Sequence, residues 1–214
     1  ACLADIHSVE IPKEHTLLEP KNPLQAILEE CEAMVAIYME SPLGDEQKKK
    51  KIRTMLDLGW EKLKESANEK EYLCCINTEL NSTNFLMNGN SANSYLIDWE
   101  KPLYGEPAQD LGHFLAPTTT FWKTDVILNE QQIEDFLDEY IRKVAGRFPT
   151  AKLKERTYTY IPITCLRGVT WCAMAWVEYK DPEKAIFNES TFRKLEAYLD
   201  DDFLDYIHRF IKKN

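Results

Sequence analysis

The sequence predicts an α+β domain that is mainly helical and carries one small β-hairpin. Long stretches place apolar residues at spacings of three and four, the signature of helices with one buried face. Short apolar runs without that spacing cluster between residues 72 and 97. An Asn-Gly pair lies between two of those runs, a strong hairpin signal.

The elements follow in order. Pro23–Tyr38 has apolar residues at 24, 27, 28, 31, 34, 35 and 38, which predicts a helix. Ser41-Pro42-Leu43-Gly44 reads as a turn. Residues 45–68 are charged, with Ile52, Met55, Leu56, Leu58, Trp60 and Leu63 as the apolar side of a second helix. Tyr72–Ile76, Phe85–Met87 and Tyr95–Ile97 read as short strands, with Asn88-Gly89-Asn90 as the turn between the last two. Residues 116–128 read as a flexible connection. Asn129–Phe148 is a helix with Ile133, Phe136, Leu137, Tyr140, Ile141 and Val144 on one face and Asn129 as its cap. Residues 150–180 are helical or broken helical, with Pro162 starting or kinking a helix. Ser190–Ile211 reads as one closing amphipathic helix. No repeat, low-complexity segment or Gly/Ser linker divides the chain, so residues 1–214 are expected to form a single domain.

Composition narrows the function. The 214 residues are 44% hydrophobic and 29% charged, ordinary for a globular domain. A net charge of −10 and a pI near 5.0 argue against nucleic acid as the main partner. The one basic run, Lys48–Lys51, reads as the solvated face of a charged helix. No apolar run approaches eighteen residues and no signal segment opens the chain, so no membrane partner and a cytoplasmic location are expected. Six cysteines without a Cys-x-x-Cys pattern read as reduced thiols, and four scattered histidines offer no zinc spacing.

The chemistry concentrates in Asn77-Thr78-Glu79-Leu80-Asn81-Ser82-Thr83-Asn84 and in Leu96-Ile97-Asp98-Trp99-Glu100. An acid, an amide five positions later, and an Asp at the end of the next apolar run match the layout of a metal–phosphate catalytic loop. Glu79 is the candidate catalytic residue, orienting or deprotonating an attacking hydroxyl. Asn84 and Asp98 are the candidate ligands of Mg²⁺ and, through it, of the nucleotide. Asn84 directly precedes one strand and Asp98 directly follows its partner, so the hairpin would bring them to the same end.

These segments resemble the aminoglycoside phosphotransferase and choline kinase superfamily, whose loop reads His-x-Asp-(apolar)-x-x-x-Asn-(apolar)-(apolar). Ile97-Asp98-Trp99-Glu100 resembles its Ile-Asp-(Phe/Trp)-Glu segment. Gly105-Glu106-Pro107-Ala108-Gln109-Asp110-Leu111-Gly112 resembles its Gly-Asp-Pro-x-x-Asp-Leu-(Ala/Gly), and Leu3-Ala4-Asp5-Ile6-His7 resembles the helix that opens its carboxy-terminal lobe. The four segments follow one another in order across residues 3–112. The resemblance implies a protein-kinase-like carboxy-terminal lobe, with the hairpin carrying the catalytic loop and Asp110 bracing that loop. It also implies ATP or GTP with Mg²⁺, and transfer of a phosphoryl group to a small-molecule hydroxyl. An acidic domain would attract a cationic acceptor, such as an amino sugar or a choline-like amine.

The chain departs from the pattern in three ways. Asn77 stands where the family has His, removing a group that braces the loop. Glu79 stands where it has Asp, moving the carboxylate ~1 Å, a misplacement worth on the order of a hundredfold in rate. No Gly-rich loop or strand lysine precedes residue 1, so the amino-terminal nucleotide-binding lobe is expected to be missing as a partner. The alternative is a catalytically impaired, pseudokinase-like binding or scaffold domain. Whether the chain is an enzyme stays open at this level. Trp171, Trp176 and Tyr179, within Arg167–Lys180, read either as core or as the wall of an acceptor pocket.

Overall fold

The structure is a computed structural model that describes residues 1–66, 70–89, 94–182 and 186–213. In chain order its elements are α1 (Cys2–His7), α2 (Pro23–Glu40), α3 (Glu46–Glu65), β1 (Cys74–Ile76), a 3₁₀ turn (Ser82–Asn84), β2 (Phe85–Leu86), β3 (Tyr95–Leu96), β4 (Leu103–Gly105), α4 (Pro107–Leu115), α5 (Pro117–Thr124), α6 (Glu130–Val144), α7 (Leu153–Tyr179), α8 (Glu189–Tyr198) and α9 (Asp201–Lys213). The chain is therefore mainly helical, as the apolar spacing predicts. These elements sort into two compact units, Ala1–Pro23 with Ala67–Ile161, and Leu24–Ser66 with Pro162–Asn214.

The first unit contains the strands. β1 pairs antiparallel with β4 in the register Cys74↔Gly105, Cys75↔Tyr104, Ile76↔Leu103. β2 pairs antiparallel with β3, Phe85 opposite Leu96 and Leu86 opposite Tyr95. β4 was not legible in the sequence, because its three residues are too few to show a period. It is held from the other side by Leu18, whose carbonyl accepts the Tyr104 amide at 2.9 Å. In the expected turn Gly89 has φ +81°, a backbone that glycine adopts freely, while Asn90 lies outside the described residues. α1 packs on β1 and on α6. Asn129 caps α6 as expected, in a reciprocal capping box with Gln132. Gly112 lets α4 approach α7 closely, since a Cβ there would lie 2.4 Å from Tyr160 Cβ and 3.3 Å from the Ile161 amide nitrogen. That approach seats the helix that carries Asp110.

Residues 116–128 differ from expectation. They contain α5, which Pro117 opens at its first turn, where a missing N–H does no harm and a fixed φ favours the helix. The run of three threonines hid that start. Asp125, in the left-handed region with φ 58°, ends the helix by donating its amide to the Phe121 carbonyl at 3.3 Å.

The second unit is a helical assembly. Asp45 caps α3 by accepting the amides of Gln47 and Lys48 at 2.9 and 3.0 Å. The expected residues 67–68 of that helix lie outside the described residues. Glu32 on α2 receives both Nη atoms of Arg53 at 2.7 Å and Trp60 Nε1 at 2.8 Å. α3 packs on α9, where Lys51 pairs with Asp205 at 2.6 Å and with Asp201 at 3.3 Å. Part of the basic run thus joins two helices rather than remaining a solvated face.

The expected single closing helix is two, α8 and α9, separated at Leu199–Asp200. The side chain of Asp200 accepts the Asp202 amide at 3.0 Å, so the acidic run starts a new helix instead of continuing the old one. Pro162 lies within the continuous α7 rather than starting it, and the division between the units falls immediately before it. All six cysteines are free thiols, and burial pushes the Cys31 thiol up to about 12.

Candidate active site

The candidate residues all lie in the first unit. β1 delivers the chain into the loop at Ile76, which is fully buried, and Asn77 follows at 1% exposure. The Asn77 side chain works in two directions. Its Nδ2 donates to the Asp98 carbonyl at 2.7 Å, and its Oδ1 accepts the Glu79 amide at 3.1 Å. Asn in place of His was expected to remove a group that braces the loop, yet Asn77 supplies bracing bonds of its own. An amide has a donor and an acceptor on adjacent atoms, so one short side chain ties the Glu79 turn to the Asp98 segment.

Thr78 has φ 72°, a left-handed backbone that is a genuine outlier for a β-branched residue. Asp110 secures it. The Asp110 carboxylate is buried and accepts the Asn77 amide at 2.8 Å on Oδ2 and the Thr78 amide at 2.7 Å on Oδ1. The loop-bracing position that the resemblance implies for Asp110 is therefore what the geometry displays.

Behind Asp110 stands fully buried His7, with Nε2 at 3.1 Å from Oδ2 and Nδ1 at 2.6 Å from the Tyr140 hydroxyl. The ring thus bridges the Asp110 carboxylate and the Tyr140 hydroxyl, one through each nitrogen. Burial raises the Tyr140 phenol above its ordinary value and keeps it a donor. Two backbone amides, an imidazole and a phenol thus converge on one carboxylate chain that runs from α6 to the loop.

Glu79 is one-third exposed, with Lys101 Nζ 3.8 Å from its carboxylate. Its backbone carbonyl accepts Asn84 Nδ2 at 3.4 Å. Asn84 is buried at the end of the 3₁₀ turn, and its own carbonyl accepts the Ile97 amide at 2.9 Å. Asn84 therefore faces Ile97 at the end of the β2–β3 ribbon, and Asp98 is the next residue. Asp98 is exposed and has φ 67°, which interrupts the alternation of the strand just where its carboxylate emerges. The structure brings Glu79, Asn84 and Asp98 to one end of one ribbon. Among the described residues no group of three or more His, Cys, Asp and Glu is arranged to hold a metal.

Three features escaped the sequence reading. Lys101 beside Glu79 had no signal beyond its charge, and Tyr140 looked like one more core aromatic. Glu106 is buried against Arg156, whose Nε reaches Oε2 at 2.9 Å and whose Nη2 meets Oε1, the oxygen that also accepts the Tyr160 hydroxyl at 2.8 Å. Arg156 lies within a helical stretch where an arginine is normally exposed. In the second unit, Trp171 is 41% exposed, and Lys180 Nζ lies 5.0 and 4.6 Å from the ring centres of Trp176 and Phe192. A cation of the protein itself already occupies those ring faces.

No curated protein matches the sequence significantly. Two solved structures match over 99% of this chain. Spectinomycin phosphotransferase, APH(9)-Ia, in complex with ADP and spectinomycin, matches at TM-score 0.55 and 14% identity. A choline/ethanolamine kinase family protein from Mesorhizobium loti matches at 0.51 and 12%. The chain spans 63% of the length of each of these two, and at such identities the likeness concerns the fold. No helix among the described residues is long and apolar enough to cross a membrane. The model of the ecdysteroid kinase-like family matches residues 5–151, which contain the loop, the ribbon and Asp110, and the chain belongs to that family.

Proposed function

We propose that this chain is the kinase-like carboxy-terminal lobe of a small-molecule phosphotransferase, which moves the terminal phosphoryl group of ATP or GTP to an acceptor hydroxyl. One observation carries the reading. The Asn84–Ile97 backbone bond and the Asn77–Asp98 bond tie an acid, an amide and a carboxylate to one ribbon end. Membership of a kinase-like family supports it, as does a fold relative that holds ADP. The extra length of both relatives supports a further lobe as the partner that completes a nucleotide cleft. Free thiols support a reducing, cytoplasmic location.

Glu79 orients the acceptor hydroxyl and takes its proton as the new O–P bond forms. Asn84 and Asp98 offer an amide oxygen and an exposed carboxylate, hard donors of the kind that hold Mg²⁺ together with phosphate oxygens. When bound, that ion would neutralise charge on the transferring phosphoryl group. Asn77 and Asp110 fix the backbone so that Glu79 and Asp98 need no rearrangement during the reaction. The acceptor is a small molecule bearing a hydroxyl, and the family's description puts a polyhydroxylated steroid at the head of the compounds to try, before amino sugars and choline-like amines.

A second reading, a scaffold without catalysis, is favoured by Glu79, which is a methylene longer than the family's Asp and engaged by Lys101. Calorimetric titration of the full-length protein with ATP, with and without Mg²⁺, tests the metal–nucleotide site. Asp98→Ala should weaken Mg²⁺-dependent binding by at least the roughly tenfold that loss of a ligand's supporting partner produces. Undiminished Mg²⁺-dependent binding in that variant would refute the assignment of Asp98.

A further inference from the structure

Between Lys70 and Lys123 the chain has a single lysine or arginine, Lys101. It closes the segment Asp98-Trp99-Glu100-Lys101, and its neighbours at the ribbon end, Glu79, Asp98 and Glu100, are acids. A site of this charge would repel a polyphosphate unless some cation faced it. Lys101 is 68% exposed, and its ammonium stands 3.8 Å from the Glu79 carboxylate. At that exposure the pair is weak and the ammonium is free to exchange partners.

Its backbone, by contrast, is fastened. The Lys101 carbonyl accepts the Thr78 hydroxyl at 3.1 Å, and the Asp98 carbonyl accepts Asn77 Nδ2 at 2.7 Å. The segment is thus tied at both ends to the turn that carries Glu79. Thr78 makes its bond from a left-handed backbone held by Asp110, an unusual conformation that this tether helps to explain. A mobile ammonium on a fixed base, beside the candidate general base and past the candidate metal ligand, is suited to meeting a phosphate.

We propose that Lys101 binds the terminal phosphate of the nucleotide, its ammonium resting on Glu79 in the free protein and moving to the phosphate when the nucleotide arrives. This rests on the phosphotransferase reading above. In the transfer, the acceptor oxygen bonds to the terminal phosphorus as the bond to the bridging oxygen breaks, and the hydroxyl proton passes to Glu79. The nucleoside diphosphate departs, while Lys101 stays protonated throughout and counters charge on the phosphoryl oxygens.

Calorimetric titration of the full-length protein with ATP and, separately, ADP, both with Mg²⁺, compares wild type with Lys101→Met and Lys101→Arg. Lys101→Met should bind ATP at least tenfold more weakly while binding ADP as wild type does, and Lys101→Arg should recover part of the ATP affinity. Since the side chain is exposed, the melting temperature should not move. ATP binding by Lys101→Met within twofold of wild type would overturn the proposal, reduce the Glu79 pair to a surface contact, and leave the phosphotransferase reading standing. Wild-type protein that takes neither ATP nor ADP would overturn that reading and the proposal with it.

Discussion

Asp110→Ala is expected to destabilise the protein by about 3 kcal/mol or more, because the donors to its buried carboxylate lose their acceptor. The carboxylate is buried and serves three donors at once, the amides of Asn77 and Thr78 and the Nε2 of His7. Alanine leaves all three without an acceptor, two of them buried and the Thr78 amide partly so, and each stranded buried donor costs about 1–3 kcal/mol. Relaxation of the loop recovers some of this, because Thr78 no longer has to hold φ 72° once its amide is released. Urea unfolding measures the loss. Hydrogen exchange at Asn77 and Thr78 separates a local effect from a global one, and both amides should exchange faster than those of β1. A loss under 1 kcal/mol with unchanged exchange would show that Asp110 does not hold the loop.

Arg156→Ala should have an effect of similar size, about 3–5 kcal/mol, for a different reason. Here the orphan is Glu106, a buried carboxylate at the start of α4 whose Oε1 also receives the Tyr160 hydroxyl. The Glu106 carboxylate holds the Arg156 guanidinium even more firmly protonated than usual. Removing the cation therefore strands an anion. The double replacement Glu106→Leu with Arg156→Met removes both charges, and buried pairs exchanged for apolar groups are often neutral or better. The double variant should thus be more stable than Arg156→Ala alone in urea unfolding. Equal stability of the single variant and wild type would mean the pair contributes nothing. The loss should be felt in the site as well, since the same helix α4 carries Asp110.

Much of the candidate site was legible because chemistry and spacing coincide there. Glu79, Asn84 and Asp98 stand out by charge and interval, and the Asn-Gly pair announces a hairpin whose strands do pair, Phe85 with Leu96 and Leu86 with Tyr95. The helices α2, α3 and α6 were legible from long apolar periods. What stayed hidden depends on contacts between distant residues. Nothing local distinguishes Arg156 from any helix-surface arginine, or Tyr140 from a core aromatic, until the fold joins Arg156 to a partner 50 positions away and Tyr140 to His7, 133 positions away. Asn77 was misjudged for a related reason. Its worth depends on the Asp98 carbonyl, a backbone atom that no sequence pattern advertises. The break at Leu199–Asp200 and the start of α5 were missed because a cap and a first-turn proline act through single hydrogen bonds, beneath a periodicity that runs on across them.

The central claim, that Glu79 serves phosphoryl transfer at this ribbon end, is tested most directly by labelled phosphate. The full-length protein would be given terminally labelled ATP, Mg²⁺ and a panel of polyhydroxylated steroids, amino sugars and choline-like amines, and label appearing in the acceptor would be counted for wild type and Glu79→Gln. Wild type should transfer label to an acceptor hydroxyl, and Glu79→Gln should do so at least ~100-fold more slowly, the lower range for a general base. Transfer by Glu79→Gln at the wild-type rate would contradict the claim, as would wild-type protein that binds Mg²⁺ and ATP yet labels no acceptor.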